Sequence, residues 1–314
     1  MVVITGGGDA DLGLIRAVAA GDGVAIGTDL LTVVQARCEQ ARRAIGDGRL
    51  VYGVNTGLGA LASVRLTEQE QRSHQRNLLL ARATGGPPWL DAPEVRSVFT
   101  ARLLTFLSGD AGVSAGLCER LADFLNHGIV PAVPRTGVGA AGEIMQLAHA
   151  FGPVAGIGQV IGSDGALIPA AQVLRARGLD EFSLGPKEGI ALIEGVPGTT
   201  GLGALRLGEA AALASLMEAS AALSIVVARA PRDPYDAACG RGDDLLAGVL
   251  ARLRAAVGPE AAPRGLQAPL SFRVAGPVLT HVLRAAALFE AAVHRALAGV
   301  TDSPAFLDGR FIGT

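Results

Sequence analysis

The sequence predicts a mainly α protein, with long helices in a bundle and a smaller N-terminal part of short strands and glycine-rich loops. Three observations carry that prediction. Half of the 314 residues are hydrophobic but only 4% are aromatic, so the core must be built from Leu, Val, Ile and Ala. Segments rich in Ala and Leu favour helix over strand. Apolar residues recur at helical spacing in long stretches, and glycine-dense turns punctuate them.

Met1 to Ile4 reads as a short strand before Gly6-Gly7-Gly8, with no dinucleotide fingerprint downstream. Thr28 to Ile45 reads as a helix: Thr28 and Asp29 suit its start, and Leu31, Val34 and Ala41 keep its period. Val51 to Gly59 is a glycine-rich loop around Tyr52 and Asn55. Glu68 to Arg82 is a helix that must stop before Gly85-Gly86-Pro87-Pro88. Glu94 to Leu107 and Ser114 to Asn126 form a helical pair, after which Pro131 and Pro134 keep the chain extended. Gly152 to Gly165 suggests short strands and turns, and Gly185 to Gly195 a turn, an apolar run and a second turn. A long helix is expected from Gly203 to Arg229, with Leu205, Ala212, Leu213, Leu216 and Leu223 as its buried stripe. Ala230 to Gly242 is a loop, Leu245 to Val257 a helix, and Val278 to Ala298 a last long helix before an irregular tail. The expected division is an N-terminal part, 1–200, and a helical part, 201–314.

The net charge is −2 and no Lys/Arg run dominates, which argues against a nucleic acid or an anionic membrane as partner. Gly208 to Arg229 carries Glu209 and Glu218, leaving less than the ~18 apolar residues a spanning helix needs, so a core helix is expected. Cys38, Cys118 and Cys239 are scattered, show no metal-ligand spacing, and fit reduced thiols in a cytoplasm. The N-terminus lacks the basic start and apolar run of a signal peptide.

One stretch organises the rest: Thr136 to His149, a glycine-dense turn entering an apolar helix, with Ala140-Ala141-Gly142 at its centre. Around it lie Tyr52-Gly-Val-Asn-Thr-Gly-Leu-Gly59, Gln75-Arg-Asn-Leu-Leu-Leu80, Leu125-Asn-His-Gly-Ile-Val-Pro-Ala-Val-Pro134, Pro186-Lys-Glu-Gly-Ile-Ala-Leu192, Gln267 to Arg273, Asp302-Ser-Pro304 and Gly309-Arg-Phe311. In this order and at these separations, the segments resemble the histidine/phenylalanine ammonia-lyase family, from about Leu30 to the C-terminus. The resemblance implies a mostly α fold and a tetramer whose sites draw on several subunits. It also implies an electrophile, methylidene-imidazolone (MIO), made by cyclisation and dehydration of an Ala-Ser-Gly triplet.

The departures from the family pattern are chemically large. Ala141 stands where the family has its serine, and alanine has no β-hydroxyl to eliminate, so no MIO and no other cofactor is expected. Arg82 replaces a family histidine, Glu194 an asparagine, Ala268 an aspartate, Leu270 a tyrosine and Ser303 an asparagine. Tyr52 matches the family's catalytic base, and Arg273 the arginine that binds the substrate carboxylate. A planar guanidinium suits a carboxylate through two parallel hydrogen bonds. A phenol acting as base needs a favourable charge nearby, which Arg82 or Arg273 could supply. Plainer readings stand beside these: Tyr52 capping its own loop, Arg273 in a structural ion pair with Glu194, Arg82 solvated at a helix end.

Members of the family continue with a further helical portion beyond the point matching Gly309-Arg-Phe311. The resemblance therefore implies apolar stripes left for a second copy, or for a chain supplying the missing C-terminal helices. Two functions compete. One is an MIO-independent elimination, addition or isomerisation on a small carboxylate-bearing, amino-acid-derived substrate in biosynthesis. Tyr52 and Glu194 would move protons, while Asn55, Arg82, Gln267 and Arg273 bind substrate. The other is a non-catalytic subunit that binds a ligand or stabilises a partner. A conventional ammonia-lyase reaction is not expected, because of Ala141.

Overall fold

The computed structural model describes residues 1–6, 12–137, 142–259 and 262–313; the side chains of Glu68 and Arg72 are not described. Ala140 and Ala141 of the organising turn lie outside the described residues. The described chain is mainly helical. In order it forms β1 (Val2–Ile4), α1 (Leu12–Ala19), β2 (Val24–Ile26), α2 (Thr28–Gly46), α3 (Glu68–Arg82), α4 (Ala92–Phe106), α5 (Ala115–Asn126) and α6 (Ile144–Phe151). There follow β3 (Gln159–Ile161), β4 (Leu167–Pro169), α7 (Ala170–Ala176), α8 (Glu188–Ile193) and α9 (Pro197–Ala228). The last elements are α10 (Asp244–Val257), α11 (Leu270–Arg273), α12 (Ala275–Ala298), β5 (Ala305–Leu307) and β6 (Arg310–Ile312). The strands form three separate two-stranded ribbons: β1 with β2 parallel, β3 with β4 and β5 with β6 antiparallel.

Two compact units emerge. One comprises Met1–Leu205 together with Val293–Thr314, the other Arg206–Ala292. In the first, helix starts follow local capping chemistry. The Thr67 side chain accepts from the amide of Glu70 while the Glu70 carboxylate accepts from that of Thr67, and Asp91 and Glu94 repeat the exchange at α4. Each box satisfies two amides that a helix start leaves bare. α4 is buried on almost every side and runs through the core. Phe99 stacks on Phe124 at 5.6 Å and tilts against Phe151 at 4.8 Å, uniting α4, α5 and α6. The tail expected to be irregular instead pairs as β5 and β6, and the Phe306 amide donates to Asp110 O at 2.7 Å.

Glycine sets how closely two helices approach. A Cβ at Gly189, in α8, would lie 2.2 Å from Gln75 O, so α8 rests directly on the main chain of α3. Side chains of any size would push these elements apart, and with them the groups they carry.

The second unit is cored by Ile225, Tyr235, Val249, Leu250, Leu253 and Leu279. The Tyr235 hydroxyl donates to Phe272 O at 2.8 Å, and burial pushes its pKa up to about 12. The stripe expected to be buried on α9 is not. Leu205 is half-buried, Ala212 and Leu213 are exposed, and Leu216 and Leu223 are 65% and 66% exposed, while Leu207, Ala214, Ala222 and Ile225 face inward. α9 is apolar on both sides, so periodicity alone could not say which side finds a partner within the chain. The stretch Glu188–Ala228, which takes in α8 and α9, and α12 are also long and apolar enough to cross a membrane by length and composition. Only 17% and 22% of their most apolar stretches are buried, which corrects the core-helix expectation.

Candidate active site

The first unit carries a cluster of polar groups on α3, α4, α8 and the loops around them. In the same unit Tyr52 is 43% exposed, and its hydroxyl oxygen accepts from the Gly59 amide at 3.2 Å. The Tyr52 loop is shaped by Asn55. Its Oδ1 accepts from the Val51 amide at 2.7 Å and its Nδ2 donates to Arg49 O at 2.8 Å. Both ends of that buried amide serve the loop backbone, which makes Asn55 a builder of the loop. Gly53 has φ +67, and a Cβ there would fall 2.1 Å from Ile190 Cδ1, so a larger residue would be strained and would displace the Ile190 side chain.

One buried side chain ties this loop to α8. Gln75 Nε2 donates to Gly53 O at 3.0 Å, and its Oε1 accepts from the Ile190 amide at 2.9 Å. Beside it, His74 sits with burial and the Arg82 charge pulling its pKa down, against a hydrogen bond with Gly53 that pulls up; its Nε2 is buried without a partner among the described residues. Arg82 ends α3, half-buried, and among the described residues it makes one long contact of 3.4 Å, from Nη1 to Leu78 O. That bond is weak, which leaves most of the guanidinium's donors available.

Glu194 follows the last residue of α8. Its half-buried carboxyl accepts no hydrogen bond from the described residues. Burial raises its pKa and the Asp302 carboxylate adds to the rise, while Lys187, Arg102 and Arg82 pull the other way; the net direction is upward. Behind it, Lys187 Nζ and Asp302 Oδ2 form a buried ion pair at 2.5 Å. Arg102 lies deeper still. Burial lowers its pKa to about 10 despite Asp302, Glu143 and Glu194.

The organising turn leaves its undescribed part at Gly142, whose φ of +63 is left-handed. The Glu143 carboxylate then meets the first turn of α9, accepting from the amides of Gly198 and Thr199, each at 2.6 Å, and from the Thr199 hydroxyl. A carboxylate there answers bare amides and the positive end of the helix dipole. A cavity of about 210 Å³ adjoins it, lined by Arg135, Gly142, Glu143, Gln146, Thr199 and Leu202 among others.

Tyr52, Asn55, Arg82 and Glu194 thus belong to one unit. Gln267 and Arg273, both exposed, belong to the other, where they line a cleft of about 440 Å³ with Asp233 and Leu266. Sequence reasoning missed Gln75, Lys187 and Asp302 as site residues, although all three lie inside the quoted motifs. It also missed Arg102, whose only signal is a charge in the apolar run Ala101 to Leu104.

The model of the family described as "Aromatic amino acid lyase" matches residues 11–312. An MIO-dependent tyrosine 2,3-aminomutase from Streptomyces globisporus is 38% identical over 186 residues, covering 59% of this chain and 34% of the relative. A histidine ammonia-lyase from Geobacillus thermodenitrificans is 36% identical over 239 residues, covering 76% of this chain and 47% of the relative. The crystal structure of tyrosine aminomutase from Streptomyces globisporus superposes with a TM-score of 0.90 at 27% identity, over all of this chain and 65% of that one. The chain spans about a third to a half of the length of these curated relatives. With the fold matched end to end and the family's segments in order, the chain belongs to the aromatic amino acid lyase family.

Proposed function

We propose that this chain forms part of a lyase-like enzyme that works without MIO on a small carboxylate-bearing, amino-acid-derived substrate, by elimination, addition or isomerisation. The observation that carries this reading is the setting of Glu194. Its carboxyl is half-buried, bound by no donor among the described residues, raised in pKa by burial and Asp302, and attracted by the charges of Lys187, Arg102 and Arg82. A carboxyl so tuned holds and releases a proton nearer neutral pH than a solvated one. Tyr52 is the second proton-moving group, with its own proton uncommitted to any acceptor among the described residues. Arg82 is the anion-binding group of the same unit. The triplet Ala140-Ala141-Gly142 does not fit MIO, because its central residue offers no hydroxyl to leave as water.

The test incubates the chain with histidine, tyrosine and phenylalanine and reads elimination products by absorbance and β-amino acids by mass spectrometry, for the native chain, Glu194→Gln and Tyr52→Phe. The reading requires turnover that both substitutions reduce; turnover equal to native in both would remove these groups from the mechanism. Intact mass tests the absence of MIO: loss of water at the triplet would overturn it.

A second reading has its own observation. The outward face of α9, with Leu213, Leu216, Leu223 and Val227, is apolar and exposed. Such a face marks an interface. We therefore propose that the chain works as an oligomer, with a second copy or a chain supplying further helices. In the alternative reading it is a non-catalytic, ligand-binding or stabilising subunit of that partner. Sedimentation with and without a candidate partner, alongside the assay above, separates the two.

A further inference from the structure

Glu194 sits in a turn that depends on glycine at the next position. Gly195 has φ +77, and a Cβ there would lie 3.0 Å from Thr301 O and 3.3 Å from Arg102 Nη1. With no side chain in the way, the guanidinium of Arg102 reaches across from α4 and its Nη2 donates to the main-chain carbonyl of Glu194. Arg102 is 1% exposed and lies 5.0 Å from the Phe106 ring, and its Nε has no partner among the described residues. Taking a guanidinium out of water this completely is expensive, and an apolar side chain of similar size would serve packing at least as well. What an apolar side chain could not do is hold the Glu194 carbonyl.

We propose that Arg102 is a positioning residue of this site, fixing the Glu194–Gly195 peptide so that the Glu194 carboxyl stays beside the buried Lys187–Asp302 pair. This rests on the reading of Glu194 as a proton-moving group. The charged groups that face Glu194 come from four places: Arg82 from α3, Arg102 from α4, Lys187 from the start of α8, and Asp302 from the segment before β5. Arg102 differs from the other three in also holding the main chain of Glu194. Its removal therefore changes both where the carboxyl is and what it feels.

The test is a carbon-detected NMR titration of the Glu194 carboxyl in the full chain, assigned by its disappearance in Glu194→Gln. Arg102→Met is expected to raise the midpoint by roughly one unit, as loss of a nearby cation does, and to move the Glu194 carbonyl resonance. Lys187→Met is expected to raise the midpoint while leaving the carbonyl resonance in place. A folded Arg102→Met with carbonyl and midpoint both unmoved overturns the proposal. If Arg102→Met does not stay folded, Arg102→Lys decides: it keeps the charge and loses the planar fork. A moved carbonyl resonance supports positioning, and an unmoved one overturns it. None of these readouts uses turnover. Their failure leaves the catalytic reading of Glu194 standing, and native turnover in Glu194→Gln would sink that reading without touching the position of the peptide.

Discussion

Two glutamates mark the difference between structure and chemistry in this molecule. Glu143 and Glu194 each stand beside a left-handed glycine, Gly142 and Gly195, at the end of a turn. Glu143 accepts three hydrogen bonds at the first turn of α9, and Gly198 leaves room for it, since a Cβ there would fall 2.6 Å from Oε2. Glu194 accepts none from the described residues and is surrounded at longer range by three cations and one anion. A carboxylate wrapped in donors is held in its charged form and in place. One that lacks them keeps its lone pairs for something else. The same residue type thus anchors a helix in one turn and stays available in the other.

The largest expected effect breaks the comparison on the Glu194 side. Glu194→Gln should cut turnover by about 10²- to 10⁴-fold, the usual contribution of a placed acid or base, while denaturant unfolding stays near the native value. Next, Lys187→Met takes the cation from buried Asp302, and breaking such a pair costs about 3–5 kcal/mol, read as a lowered urea midpoint. Glu143→Gln should lose about 1–2 kcal/mol of stability, since a neutral amide answers the α9 amides less well, with activity moved only through the fold.

The smallest effect is a pH dependence. The folded-state pKa of Glu194 is raised, so the folded chain holds that proton more tightly than the unfolded one does. Its contribution therefore falls as pH rises from the ordinary carboxylate value through the raised one, and is flat beyond. The difference in unfolding free energy between native chain and Glu194→Gln should decline across that window. A difference that rises there instead would mean the carboxyl is stabilised in its charged form. Half-buried His74 and His149, both lowered, act in the opposite direction at higher pH, so the variant difference is the quantity to follow.

Much of the fold was legible because it is written in local chemistry. Thr67-x-x-Glu70 sets the start of α3, and Gly85 to Pro88 its end; the observed Glu68–Arg82 matches the expected helix. The Tyr52 loop was legible from its glycines, as was the turn into α6. What stayed hidden was set by packing. α1 and β2 were missed, since Leu12–Ala19 is short and β1 pairs in parallel with β2 across it. α9 begins at Pro197, well before Gly203, because its first amides are met by the distant Glu143 and not by a neighbour in sequence. Its exposed stripe could not be told from its buried one, both being Leu, Ala and Val. In the site, the family resemblance led to Tyr52, Arg82 and Glu194. It could not reveal that Arg102, 92 residues earlier than Glu194, holds the carbonyl of that residue.

Gln75 joins the Tyr52 loop and α8 with one amide group, and Gly189 lets α8 rest on the main chain that carries it. Neither element can shift without stretching a bond on the other. The spacing between the loop that carries the phenol and the helix that precedes the carboxyl is therefore tied through Gln75, much as the gauge of a track is held by its sleepers. A substrate of different size would have to be met by changing side chains at the rim, not by moving the two elements apart.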